Sequence, residues 1–113
     1  MKTNRTDTTR ERAALTFAAL GSEARLAVLM ALVRAGPEGL SIGTLGARCG
    51  ITGSTLTFHL RTLVQAGLIA QAKKGRQIIC IADTAAIRAL SDFLLAECCA
   101  DLPCGPHDGD DHV

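Results

Sequence analysis

Apolar and polar positions alternate along this chain with a period that changes once. From Arg10 to Leu20 the apolar residues Ala13, Ala14, Phe17, Ala18 and Leu20 recur at helical spacing and predict a first helix. Gly21 ends it, and Ser22 is a good N-cap for a second helix, with Glu23 in its first turn. Leu26, Leu29, Met30 and Val33 form the apolar stripe of that helix, and Gly36-Pro37 stops it. A short helix over about Ser41 to Cys49 follows, with Leu40, Ile42 and Leu45 as its apolar set and Gly50 closing it. Thr52 is placed to cap a fourth helix that runs to about Ala66 and ends at Gly67. Its Leu56, Leu60, Leu63 and Val64 share one face, while Ser54, Thr57, Phe58, Arg61 and Gln65 lie opposite.

The period then shortens. Residues 68–72 and 77–81 are short apolar runs, the second rich in isoleucine, on either side of Lys73-Lys74-Gly75-Arg76, which predicts a hairpin. Asp83 caps a last helix, roughly Thr84 to Ala100, with Ile87, Leu90, Leu94 and Cys98 on one stripe. The expected order is ααααββα: a mainly α chain with a β-hairpin (α+β). Two consecutive helices joined by Gly50-Ile51 and followed by a basic hairpin make a winged helix-turn-helix, whose second helix enters the major groove. The chain divides into a polar arm over 1–9, a domain over 10–100 and a tail over 101–113 that holds Cys, His and Asp.

Composition supports a single packed domain. Of the 113 residues, 48% are hydrophobic, enough to bury a core. No apolar run approaches the roughly 18 residues of a spanning helix, and the polar first ten residues lack the apolar stretch of a secretory signal. No membrane association and a cytoplasmic location are therefore expected. Residues 1–82 carry eleven Lys or Arg against four Asp or Glu, whereas residues 83–113 carry one Arg against seven acids. A basic body with an acidic end suits a polyanion partner.

The fourth helix and the hairpin carry groups suited to duplex DNA. Ser54, Thr55 and Thr57 offer hydroxyls to phosphates or base edges, and Arg61 can reach guanine or a phosphate. Phe58, on the outward face, can touch a thymine methyl. Lys73, Lys74 and Arg76 at the hairpin tip can reach the backbone beside the groove. A polar outer face is also the ordinary dress of an amphipathic helix, and it is the order of the parts that favours DNA binding. His59 lies between the two faces and is expected to be a partly buried structural residue.

These residues resemble a family. Ala19-Leu20-Gly21-Ser22-Glu23-Ala24-Arg25-Leu26 is similar to the opening signature of the ArsR (ArsR/SmtB) repressors, often A-L-[SA]-D-P-T-R-L. The stretch from Gly50 to Leu60 resembles their recognition helix, and Leu63, Ala66-Gly67-Leu68 and Lys74-Gly75-Arg76 follow the same pattern. The resemblance spans about residues 10–100. It implies a homodimer through the first and last helices, an inverted-repeat operator on double-stranded DNA, repression, and release by an inducer. Gly53 and Phe58 replace the usual Gln and His on the reading face, so the operator sequence does not carry over. Ser41-Ile42-Gly43 stands where many members have Cys-Val-Cys, and the last helix has no His.

The cysteines are the remaining candidate chemistry. There are five, an odd number, and Cys98, Cys99 and Cys104 crowd at one end, while Cys49 and Cys80 sit alone in regular segments. Three soft thiolates around one centre suit trivalent arsenic or antimony. The run from Cys98 to Cys104 resembles the C-terminal site of arsenic-responsive ArsR repressors, matching at Cys98, Cys99 and Cys104. No cofactor is required on this reading. The inducer is arsenite, As(III), with methylarsenite and Sb(III) as further candidates. Cys98, on the apolar stripe with Leu94, has core packing as its ordinary role. His107, Asp108, Asp110, Asp111 and His112 could form a second metal cluster, although a solvated acidic tail is preferred. Two alternatives stay open. One is a redox- or reactive-sulfur-sensing repressor that pairs Cys49 or Cys80 with a tail cysteine. The other is a metal-binding or thiol-exchange protein that does not touch DNA. An enzyme is not expected: no phosphate loop, zinc-protease motif or nucleophile–base pair is recognisable.

Overall fold

The computed structural model describes residues 9–103. Eight of the nine residues of the expected arm, and Cys104 to Val113 of the tail, lie outside the described residues. Thr9 caps helix α1 (Arg10–Ala19), its side chain accepting from the Arg12 N–H. The buried face of α1 is Ala13, Thr16 and Ala19, so of the expected set only Ala13 lies on it. Ala14 and Ala18 are exposed and Phe17 is 41% exposed. Thr16 is tolerated on this face because its hydroxyl donates to the Arg12 carbonyl.

Ser22 caps α2 (Glu23–Ala35) as expected, accepting from the Arg25 N–H. The buried face of α2 is Val28, Leu29 and Leu32, so the expected stripe is corrected. Only its Leu29 is buried, and Leu26, Met30 and Val33 are exposed. An apolar residue occurs on almost every side of this helix, so spacing alone does not choose the face. A 3-10 turn (Gly36–Glu38) leads into strand β1 (Leu40–Ser41). This strand is absent from the expected order; two residues are too few to show a period.

Ser41 also caps α3 (Ile42–Cys49), whose Leu45 is fully buried. After the turn through Gly50-Ile51-Thr52 comes α4 (Gly53–Gln65). Thr52 is the N-cap residue but makes no side-chain cap hydrogen bond. Leu56, Leu60 and Leu63 are buried as expected; Val64, expected beside them, is 38% exposed. Strands β2 (Ile69–Lys74) and β3 (Gln77–Ala82) pair antiparallel, with Lys74 opposite Gln77 and Gly75 at φ 65° in the two-residue turn. Strand β1 pairs on the other side of β3, Leu40 opposite Cys80, so the sheet order is β1-β3-β2.

Asp83 caps α5 (Thr84–Leu95), accepting from the Ala86 N–H. The helix stops at Leu95, short of the expected Ala100, and turns follow. Leu90 is buried, but Leu94 is 61% exposed and Cys98 is exposed, so Cys98 is not a core residue. The core is a contiguous cluster in which Leu32 and Leu45 meet Leu56, Leu60, Leu63 and Leu68, with Cys80 fully buried beside them. The whole is a winged helix-turn-helix. Among the described residues, no single helix is long and apolar enough to cross a membrane.

Gly39 is the point where the strand and sheet come closest. It has φ 69°, and a Cβ there would strike the Cys80 carbonyl oxygen and the Ile79 and Ile81 side chains. Gly36 has a similar φ of 76° with nothing within 4 Å of a Cβ. Gly36→Ala should therefore cost only the backbone penalty of its positive-φ extended conformation (φ 76°, ψ -161°), on the order of 1–3 kcal/mol. Gly39→Ala adds a backbone clash and should lose clearly more in urea unfolding. Equal losses would contradict the close packing of β1 on β3.

Candidate nucleic-acid interface and thiol site

Helix α4 packs on α2, α3 and β2 through its leucine face, which turns the opposite face to solvent. Ser54, Thr55, Thr57, Phe58 and Arg61 are all exposed there, the arrangement expected from their spacing. The Thr57 hydroxyl donates to the Gly53 carbonyl at 3.0 Å, which leaves its lone pairs and methyl for a partner. Phe58 is 58% exposed, its ring tilted against that of His59 with centroids 5.7 Å apart. An aromatic ring held in water at this level is costly in isolation and suits contact with an apolar edge such as a thymine methyl.

His59 is half-buried, as expected of a structural residue. Its Nδ1 lies 3.2 Å from Nη1 of Arg25, and the Arg25 Nε donates to the Ala19 carbonyl at 2.6 Å. A guanidinium can only donate, so His59 Nδ1 is the acceptor and the ring proton sits on Nε2. Arg25 thus ties the last turn of α1 to α4. In the sequence Arg25 stands out only within the family signature, and its spacing predicts no contact. A lone Arg in the first turn of an apolar helix is the one signal that points to such a tie.

Lys73, Lys74 and Arg76 are exposed on the hairpin, with Lys73 and Lys74 closing β2 and Arg76 in the turn. Arg76 also lines a shallow cleft with Gln77, Ile78 and the Ser41-Ile42-Gly43 start of α3. Because α4 packs on β2, the hairpin is anchored to the helix that presents the polar face. Exposed cations on such a surface neutralise phosphates without demanding a sequence.

The thiol site lies beyond α5. The Cys98 N–H donates to the Leu95 carbonyl, the Ala100 N–H to Glu97 and the Leu102 N–H to Cys99, a succession of tight turns rather than a helix. Cys99 has φ 63°, a left-handed conformation rare for a residue with a Cβ. The two sulfurs are 3.8 Å apart and both residues are exposed. The Cys98 thiol pushes the Cys99 thiol above its usual range, first through their hydrogen bond and then through charge repulsion, with a small desolvation effect. Cys104, the third expected ligand, lies outside the described residues, as do His107, Asp108, Asp110, Asp111 and His112. Among the described residues, no three His, Cys, Asp or Glu side chains gather as a metal site. Among the described residues, Cys98 and Cys99 are thus the only thiols brought close to one another.

The other cysteines differ in kind. Cys80 is fully buried, its thiol pushed up by burial and partly drawn back by the Gln71 amide 3.5 Å away. Burial also raises the half-buried Cys49. Both sulfurs are shielded from solvent to a degree that those of the exposed Cys98 and Cys99 are not.

Comparison with known proteins agrees with this geometry. The model of a helix-turn-helix domain matches residues 20–72. The uncharacterized HTH-type transcriptional regulator YceK of Bacillus subtilis (strain 168) is 43% identical over 60 residues, which are 53% of this chain and 59% of that protein. The matched stretch thus spans less than two thirds of that relative's length. An ArsR-like transcriptional regulator from Rhodococcus sp. RHA1 superposes with a TM-score of 0.69 at 28% identity, over 80% of this chain and 82% of its own. The homodimeric winged helix-turn-helix DNA-binding domain Mb0332 of Mycobacterium bovis superposes with a TM-score of 0.63 at 20% identity, over 85% and 89% of the two chains, a likeness of fold. These likenesses show a winged helix-turn-helix fold of the kind found in ArsR-like transcriptional regulators.

The placement of these groups has consequences for binding and for reactivity. Replacing Lys73, Lys74 and Arg76 together by Ala should weaken duplex DNA binding whatever its sequence. It should also flatten the slope of log affinity against log salt by about 0.9 for each phosphate no longer neutralised; an unchanged slope would remove the hairpin from the interface. In the native protein a thiol alkylator should modify Cys98 and Cys99 rapidly, and Cys80 only after unfolding, as peptide mass mapping would show. Ready labelling of native Cys80 would contradict its burial.

Proposed function

We propose that this chain is an arsenic(III)-responsive transcriptional repressor of the ArsR type. It binds an inverted-repeat operator as a homodimer and lets go when trivalent arsenic or antimony is captured by Cys98, Cys99 and Cys104. The observation that carries the inducer assignment is the pair of exposed sulfurs 3.8 Å apart at the end of α5. On this reading Ser54, Thr55, Thr57, Phe58 and Arg61 meet the major groove. Lys73, Lys74 and Arg76 hold the adjacent backbone.

Self-association is supported by apolar surface on the terminal helices. Leu15 and Phe17 of α1 and Leu94 and Leu95 of α5 are 41–65% exposed in the single chain. Covering such side chains with a second copy removes apolar area from water, at about 25 cal/mol for each Å². Thiolate capture then has a route to DNA. The cysteines follow Leu95 by a few residues, so drawing them around one ion reorders the end of a helix at the dimer contact. A coupling of about 1–3 kcal/mol between the two sites changes DNA affinity by roughly 5- to 150-fold.

The test is a titration of arsenite into the reduced protein on its own promoter DNA, followed by fluorescence anisotropy. Cys98→Ser, Cys99→Ser and Cys104→Ser variants run in parallel. Arsenite should release the wild-type protein, and each variant should bind DNA but resist release. If arsenite leaves the complex intact while an oxidant or polysulfide dissolves it, the repressor stands and the inducer assignment falls. Failure to retain duplex DNA at low salt would overturn the repressor itself.

A further inference from the structure

The Cys98–Cys99 pair has a chemistry that needs no third ligand. In a continuous α-helix successive side chains diverge by about 100°, so neighbouring residues do not face each other. Two adjacent thiols on an extended α5 would point apart. Instead α5 gives way to turns after Leu95, and Cys99 takes φ 63°. That uncommon backbone brings the two sulfurs to 3.8 Å, on a surface open to solvent.

We propose that Cys98 and Cys99 form a redox modification site: a peroxide closes them into a vicinal disulfide, and a dithiol or glutathione-class reductant reopens it. One sulfur, as thiolate, attacks the peroxide; an S–O bond forms, the O–O bond breaks, and the departing hydroxide takes up a proton to become water. The neighbouring sulfur then displaces that oxygen from the sulfenic acid. The S–S bond forms as the S–O bond breaks, and a second water leaves with the remaining thiol proton. Two thiols are oxidised to one disulfide while one hydrogen peroxide is reduced to two waters.

The geometry makes this a switch rather than a staple. The Cα atoms of consecutive residues stand about 3.8 Å apart, closer than the roughly 4.4–6.8 Å that ordinary disulfides span. The closed ring is strained and so easily reduced. Cys80 does not compete, being fully buried within β3. The closed form also lacks the thiolate pair that an arsenic ion would need. Oxidation therefore gates the inducer site; this consequence, unlike the disulfide itself, rests on the arsenic reading above.

The experiment treats the reduced full-length protein and its Cys104→Ser variant with hydrogen peroxide, quenches with iodoacetamide, and measures intact and peptide masses. Both proteins should lose two alkylatable thiols and two hydrogens per chain, remain single chains without reductant, and recover both thiols with dithiothreitol. The variant excludes any bridge to Cys104. A variant that gives only sulfinic acid or cross-linked chains would overturn the modification site. The oxidised and reduced wild-type proteins are then equilibrated with arsenite, desalted and analysed for bound arsenic. Retention should fall at least about tenfold on oxidation. Equal retention would overturn the gate. No retention by either form, with the disulfide intact in the mass data, would leave the modification site standing and remove the arsenic reading together with its gate.

Discussion

The leucine cluster beneath α4 is the interaction on which the rest depends. Leu32 of α2, Leu45 of α3, Leu56, Leu60 and Leu63 of α4, and Leu68 at the entry to β2 are all no more than 2% exposed. Each fully buried Leu contributes about 1.5–3 kcal/mol over its exposed state. Helix α4 gains no side-chain hydrogen bond from its N-cap Thr52. A helix of 13 residues is marginal in water by propensity alone, so its order comes from this packing. The cluster thereby frees the opposite face to carry hydroxyls, an arginine and an exposed ring, none of which the core requires.

The same cluster sets the relations among the other parts. Strand β3 lies between β1 and β2, with Cys80 packed into the core, so the hairpin is attached to the helical body through its inner strand. Arg25 reaches from the first turn of α2 to the end of α1 and to His59 of α4, a polar tie across three helices at the margin of the apolar core. Helices α1 and α5 belong to this core through only a few residues and leave large apolar side chains in water. The surface that one chain cannot bury by itself is the surface that a second chain would complete.

The chemistry sits where this packing ends. Beyond Leu95 nothing in the core dictates a helix, and the backbone takes the turns that bring Cys98 and Cys99 together. A site built on such a segment responds readily to a ligand or a covalent change, since few buried contacts oppose its rearrangement. Proximity to the exposed Leu94 and Leu95 places that response next to the surface assigned to the second chain.

Much of this was legible in the residues alone. The 3.6-residue spacing of Leu56, Leu60 and Leu63 identified α4 and its outward face. Ser22 and Asp83 marked helix starts by their capping chemistry, and the short runs around Lys-Lys-Gly-Arg marked the hairpin. These are local effects, carried by each segment's own backbone and periodicity. The buried faces of α1 and α2 were not legible, because alanine-rich and all-round apolar helices offer several equivalent stripes and only the neighbours choose among them. Strand β1 was invisible because two residues carry no period and pair only once β3 is in place. The placement of Cys98 and Cys99 was likewise decided in three dimensions. Spacing continued the helix to Ala100, but with no core left to pack against, its last turn opened and set the two sulfurs side by side.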